Sequence, residues 1–221
     1  MLRAAYSHEI QELRDDVVAM SSMVDKAIAR AIESLRRQDV QTAREIVAAD
    51  RAINHHRWKV EEQALLLIAT QAPMAGDLRI ISSTIHIITE LERMADHAAG
   101  TARIVIQTAD EPLLKPLVDI PRMADIAREM LSGSITAFIE SDDAKARAVV
   151  ERDDEVDSLY DQVYRELLTY MMADPATINR ATHLLWAAHN VERIADRVTN
   201  ICEWVVFAVT GDLEELAVAT T

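Results

Sequence analysis

Eight polar residues recur at matched places along this chain: Asp50, Asn54, Glu92 and Asp96 in its first half, and Asp153, Asp157, Glu192 and Asp196 in its second. Each couple is spaced i, i+4, which stacks both side chains on one helical face. Asp50 and Asp153 stand where the surrounding apolar rhythm asks for a hydrophobe. Carboxylates gathered without compensation repel one another, and a cation can bridge them. An all-oxygen donor set suits hard ions such as magnesium, calcium or manganese, and also iron. The competing reading is that Arg57, Arg93, Arg193 and Arg197 neutralise the acids as surface ion pairs, or that water solvates them. Spacing alone leaves both readings open.

Counting along the chain brings these residues level. Asp50 and Asp96 each lie 23 residues from Pro73, and Asn54 and Glu92 each lie 19 from it. Asp153 and Asp196 are equidistant from the bond between Asp174 and Pro175, as are Asp157 and Glu192. If the chain folds back at Pro73 and at Pro175, each hairpin sets its acids side by side, about 34 Å from the first turn at ~1.5 Å per residue. Facing helices pack at roughly 8–10 Å between axes, so such side chains could share an ion.

The elements that must position them are helices. The chain has 221 residues with 4 Gly and 5 Pro, and half its residues are hydrophobic. So few breakers favour long helices, expected over 4–37, 39–71, 76–109, 122–140, 142–172 and 175–210. The strongest punctuation is Pro112, Pro116 and Pro121, which sets a linker at 111–121 between a first unit at 1–110 and a second at 122–221. Asp174, followed by Pro175, reads as a helix N-cap, and Asp39 and Asp142 read as the starts of earlier helices. The halves repeat. Thr84, Ile88, Leu91, Ala95, Ala98, Ala102 and Val105 fall, at an offset of 100, on Leu184, Ala188, Val191, Ala195, Val198, Cys202 and Val205. The preceding helices match at an offset of 103. The expected fold is all-α: two tandem three-helix bundles related by an internal repeat, six long antiparallel helices.

Net charge is −14, which disfavours nucleic acid and favours cations or basic protein surfaces. The single cysteine, Cys202, fits a reducing compartment and a core position. The longest apolar runs are six residues, too short to span a membrane, and no signal peptide is evident; a cytoplasmic protein is expected. His55, His56, His97 and His189 neighbour the acids; exposed helix histidines are the plainer reading, with His189 one turn from Glu192. Trp186, Trp204 and Phe207 read as core or partner-facing. The run from Arg152 to Asp157 could be a solvated helix face. A catalytic di-iron bundle would want Glu-x-x-His pairs, and no glutamate here has histidine three positions later. No Gly-rich phosphate loop is present either. No enzyme activity is expected.

Glu92-Arg93-Met94-Ala95-Asp96-His97 and Glu192-Arg193-Ile194-Ala195-Asp196-Arg197 resemble the twin acidic motifs of the PhoU family. Residues 71–79, Gln-Ala-Pro-Met-Ala-Gly-Asp-Leu-Arg, are similar to that family's turn before its third helix. The resemblance implies two three-helix bundles and a negative regulator of the phosphate-starvation response. It implies partners: a PstB-like ATPase subunit of the phosphate ABC transporter, a PhoR-like sensor histidine kinase, and a second copy in a homodimer. It also implies a metal cofactor, iron, zinc or manganese, to which the oxygen donors add magnesium and calcium as candidates. The ligands carried over are Glu92, Asp96, Glu192 and Asp196 with Asp153 and Asp157. Asn54 departs from the acidic pattern, so a weaker first site is expected. The remaining alternatives are a purely structural or oligomerising bundle and a PhoU-like domain serving another transporter.

Overall fold

The computed structural model describes residues 2–216, with side chains from residue 6 onward. Its helices are α1 (Leu2–Arg37), α2 (Val40–Gln71), α3 (Gly76–Thr108), α4 (Asp119–Glu140), α5 (Asp143–Val150), α6 (Asp153–Ala173) and α7 (Ile178–Thr210), with one 3₁₀ turn at Pro175–Thr177. No strand occurs among the described residues. The periodic apolar positions anticipated on α3 and α7 are all buried, from Thr84 and Leu184 to Val105 and Val205. A stripe repeating by threes and fours must face a partner helix, and here it faces one shared core.

Short side-chain caps start three elements. Asp39 accepts from Thr42 N at 3.0 Å, Asp142 from Lys145 N at 2.9 Å and Asp174 from Ala176 N at 3.0 Å. Gln38 and Ser141 precede the first two of these caps with positive φ, 53° and 55°. The turn between first and second helices is thus built identically in both halves, as the repeat requires.

Expected boundaries differ at three places, and the last helix, expected from 175, begins at Ile178 after the 3₁₀ turn. α4 begins at Asp119, so Pro121 sits inside its first turn, where its missing N–H would have had no intrahelical partner anyway. The helix expected over 142–172 is broken at Glu151-Arg152 into α5 and α6. Arg152 N bonds Val149 O at 3.2 Å and Glu155 N bonds Arg152 O at 3.1 Å, replacing α-helical bonds by tighter ones. Restarting there puts Asp153, Asp154 and Glu155 into a first helical turn, where the helix dipole favours negative charge. Arg152 reaches across to Glu129 of α4 at 2.9 Å. Beside the break, Gly133 lets α4 approach α5: a Cβ there would stand 2.7 Å from Val149.

α3 and α7 form the central pair, with α1 against α3 and α4 against α7; α1 and α4 also touch. α2 covers α3 on one flank, and α5 with α6 covers α7 on the other. Across the α3–α7 seam Ser83 bonds Trp204 O, Glu90 meets Arg197 and Asn200, and His97 meets Asn190. Numbers rise on one helix as they fall on the other, so the pair is antiparallel. A two-fold exchange of residue i with i+100 carries Glu90···Arg197 onto Asn190···His97. It also carries Glu90···Asn200 onto the close contact of Asn190 with Gly100. The exchange is centred close to the level of Met94 and Ile194, both buried. Asp25 of α1 bonds Arg128 of α4 at 2.7 Å; the two are counterparts at the offset of 103, so they meet on the same pseudo-axis.

Candidate functional site

In the second half, Asp153 opens α6 and Asp157 follows one turn later, while Glu192 and Asp196 lie on α7. The break before Asp153 and the fold-back at Asp174-Pro175 together bring the four into mutual electrostatic range. Asp153 is pushed from 3.8 up to about 7, first by burial, then by the charges of Asp157, Asp196 and Asp154. Glu192 is pushed from 4.5 to about 7 by burial and by Asp196, with Asp157 and Asp153 adding and Arg193 opposing. Asp157 is raised by burial and by Asp196. Asp153 Oδ1 and Glu192 Oε2 are buried without a hydrogen-bond partner. His189 Nδ1 stands 3.2 Å from Glu192 Oε2, close enough for an ion pair but out of line for a hydrogen bond.

In the first half, Asp50 and Asn54 lie on α2, and Glu92 and Asp96 on α3. Asn54 Nδ2 donates to Asp50 Oδ2 at 3.3 Å, within the same helix. Asp50 is raised by burial and by Asp96, and lowered by Arg103. Glu92 is raised by burial and by Asp96, and lowered by Arg57 and Arg93. The acids come together here too, with positive charge among them.

The four arginines expected to neutralise the acids divide their contacts. Arg193 bonds Asp196 at 2.6 Å. Arg57 goes to Glu61, and both Arg93 and Arg197 go to Glu90. Of the histidines, His56 faces Asp16 of α1 and His97 faces Asn190, so neither turns to the acids; His189 does. Cys202 is a core thiol, pushed up to about 12 by burial. Trp204 stacks on His86 at 3.6 Å with Phe207 against its edge, whereas Trp186 is exposed.

The donors are carboxylate oxygens, two of them orphaned, and they repel one another; in charge and donor type they fit a cation. Among the described residues, no three His, Cys, Asp or Glu side chains are already arranged to hold one. Sequence reasoning missed Glu90, whose carboxylate is buried in the seam and receives Arg93, Arg197 and Asn200. It also missed Arg103, whose counterpart Glu203 instead accepts Leu216 N at 3.0 Å. The offset of 100 holds the signal for both, since Glu90 falls on Asn190 and Arg103 on Glu203: a charge changes where an apolar stripe does not.

Residues 17–105 and 120–205 both match the family model described as the PhoU domain. The chain belongs to the PhoU family. It is 41% identical over 185 residues to a phosphate-specific transport system accessory protein PhoU homolog of Aquifex aeolicus, covering 84% of each chain. A Clostridium acetobutylicum protein of the same description is 35% identical, covering 98% of this chain and 99% of its own. The crystal structure of PhoU from Pseudomonas aeruginosa superposes with a TM-score of 0.89 at 31% identity, covering 94% of this chain and 100% of that one. The phosphate transport system regulatory protein PhoU from Streptococcus pneumoniae gives 0.88 at 29%, covering 95% and 99%. The PhoU match falls on both repeats, so each acidic station belongs to one PhoU unit. No helix of the described residues is long and apolar enough to cross a membrane.

Proposed function

We propose that this chain is a cytoplasmic, non-enzymatic regulator of phosphate uptake, a helical adaptor that damps the phosphate-starvation response. Its partners in this reading are the ATPase subunit of a phosphate ABC transporter and a sensor histidine kinase. The observation that carries the reading is the PhoU match over both repeats, together with relatives named as accessory proteins of the phosphate-specific transport system. Purified chain should retrieve a purified phosphate-transporter ATPase in at least one nucleotide state. Failure in every nucleotide state would remove the adaptor reading.

The second part of the proposal is a cation at the second-half station, held by Asp153, Asp157, Glu192 and Asp196. The ion would supply the positive charge that the orphaned oxygens lack. The chain's own residues set its strength: Arg193 competes for Asp196, and Asn54 and Arg103 weaken the first-half station. A scaffold without metal is favoured by one observation, the lack of three pre-arranged ligands among the described residues. Elemental analysis of the purified chain separates the two. The metal reading expects bound ion that is lost on replacing Glu192 and Asp196 by Ala, with helicity by circular dichroism unchanged.

A further inference from the structure

α6 carries a stripe that the core does not use. Asp154, Asp157, Asp161, Tyr164, Leu168 and Met172 step by three and four along one face, so they line up down the helix. Asp154, Asp157 and Asp161 are exposed, and so are Tyr164, Leu168 and Met172, the last at 85%. Single exposed hydrophobes are ordinary, but a contiguous set marks an interaction surface. Contiguity extends onto α7. His189 lies beside Tyr160, with ring centroids 6.2 Å apart. One turn further toward the hairpin tip on each helix come Tyr164 and Trp186, and beyond them Met172 and Ile178, all exposed.

The stripe is split by chemistry: carboxylates over its first two turns, aromatic and aliphatic groups over the rest. Arg152 pairs with Glu129 and Glu155, and Arg193 with Asp196, while Arg165, one turn past Asp161, is exposed at the border of the stripe. From Asp154 to Met172 it runs roughly 27 Å, the length of about five helical turns. We infer that this strip docks an amphipathic α-helix of a protein partner, with apolar side chains over Tyr164, Leu168, Met172 and Trp186 and a lysine- or arginine-rich end over Asp154 and Asp161. A second copy fits it poorly. Laid parallel it would set carboxylate against carboxylate, and laid antiparallel carboxylate against hydrophobe. The corresponding positions of α2, at an offset of 103, are Arg51, Asn54, Trp58, Glu61, Leu65 and Ala69. There charges of both signs mix with the apolar groups, and Glu61 already pairs with Arg57.

The inference deepens the adaptor reading and rests on it, and two measurements keep them apart. The probe is a labelled 18-residue helical peptide with Leu and Trp on one face of its first half and Lys over its second, titrated by fluorescence anisotropy against the full chain. Binding should weaken at least about tenfold in the Asp154→Lys, Asp161→Lys double variant, and similarly in Leu168→Ala, Met172→Ala. A peptide with Glu for Lys should not bind, and Leu65→Ala, Leu66→Ala on α2 should bind like the parent. Equal affinity in both α6 variants, binding of the Glu peptide, or loss only in the α2 variant overturns the assignment. So does a dimer, by light scattering, that falls to monomer in Leu168→Ala, Met172→Ala, which would give the strip to a second copy. If the parent and both α6 variants retrieve the purified transporter ATPase equally, the docking face falls and the adaptor stands. If the parent fails in every nucleotide state while the peptide result holds, the adaptor falls and the face stands.

Discussion

The two halves share a backbone plan and differ in how they balance charge. In the first, Asp50 receives the amide of Asn54 and feels Arg103, while Glu92 feels Arg57 and Arg93. In the second, Asp157 replaces the amide, Glu203 replaces Arg103, and two buried carboxylate oxygens have no hydrogen-bond partner. The seam shows the reverse preference. Glu90 is locked by two arginines and an amide, whereas its counterpart Asn190 meets only His97 and the backbone at Gly100. Duplication supplies the geometry twice, and a handful of exchanged side chains leaves the second station with more uncompensated negative charge than the first. Charge left uncompensated in a fold costs stability, so its greater build-up in the second half points to use there.

The largest effect should come from the seam. Replacing Glu90 by Ala leaves Arg197 and Asn200 unpaired in a buried contact, and should cost roughly 3 kcal/mol in denaturant unfolding. Asn190→Ala, its counterpart, should cost about 1 kcal/mol. Equal losses would mean that the asymmetry of the seam has no energetic content. Next in size is ion affinity, on the metal reading. Glu192→Ala with Asp196→Ala should weaken binding of the first manganese ion by roughly 100-fold in calorimetry. Glu92→Ala with Asp96→Ala should leave that first ion nearly unaffected. Comparable losses at both stations would erase the distinction between them.

The pH dependence sharpens the comparison further. Asp153 and Glu192 hold protons in the folded chain up to about pH 7, against 3.8 and 4.5 ordinarily. Between about pH 4.5 and pH 7 the folded chain binds more protons than the unfolded one, so stability falls as pH rises through that window. Below it both states are protonated; above it both are ionised and the loss is complete. Both side chains keep partial solvent access, which reduces the effect to about 2 kcal/mol. Metal-free protein should therefore melt several degrees lower at pH 8 than at pH 5, and Asp153→Asn should flatten the profile. Asp50→Asn should flatten it much less. An unchanged profile in Asp153→Asn would show that the second station is better solvated than its burial suggests.

Much of this was legible in the sequence. Helix rhythm, the repeat and the levelling of Asp153 with Asp196 follow from counting, because helix pitch is fixed and a hairpin must return along itself. The break at Glu151-Arg152 was not, since Val149 and Val156 keep the apolar rhythm straight across it and only the acids that follow hint at a restart. Nor were the partners of Arg93 and Arg197. Both lie next to acidic motifs in the chain, yet Arg93 pairs back along α3 with Glu90 at i, i+3, and Arg197 reaches Glu90 only across the α3–α7 crossing, which is tertiary. Asn54 was readable as a departure; that its amide would bond Asp50 depended on a rotamer.

Asn54 offers the finest test of the comparison, because one atom exchange makes the first station resemble the second. In Asn54→Asp the donor to Asp50 becomes a like charge one helical turn away. Like charges at i, i+4 cost a few tenths of a kcal/mol on an exposed helix. Here the side chains are half-buried, so about 1 kcal/mol is expected in metal-free protein at pH 8, shrinking as pH falls and Asp50 takes up a proton. Arg103 should hold the penalty below that of the second station, and Arg103→Glu added to Asn54→Asp should bring the two level. If a cation is what the open station is built to hold, manganese should recover the lost stability in the double variant and raise its ion stoichiometry. A double variant destabilised as expected but indifferent to manganese would show that charge imbalance alone does not make a site, and that the α5–α6 break before Asp153 is the missing ingredient.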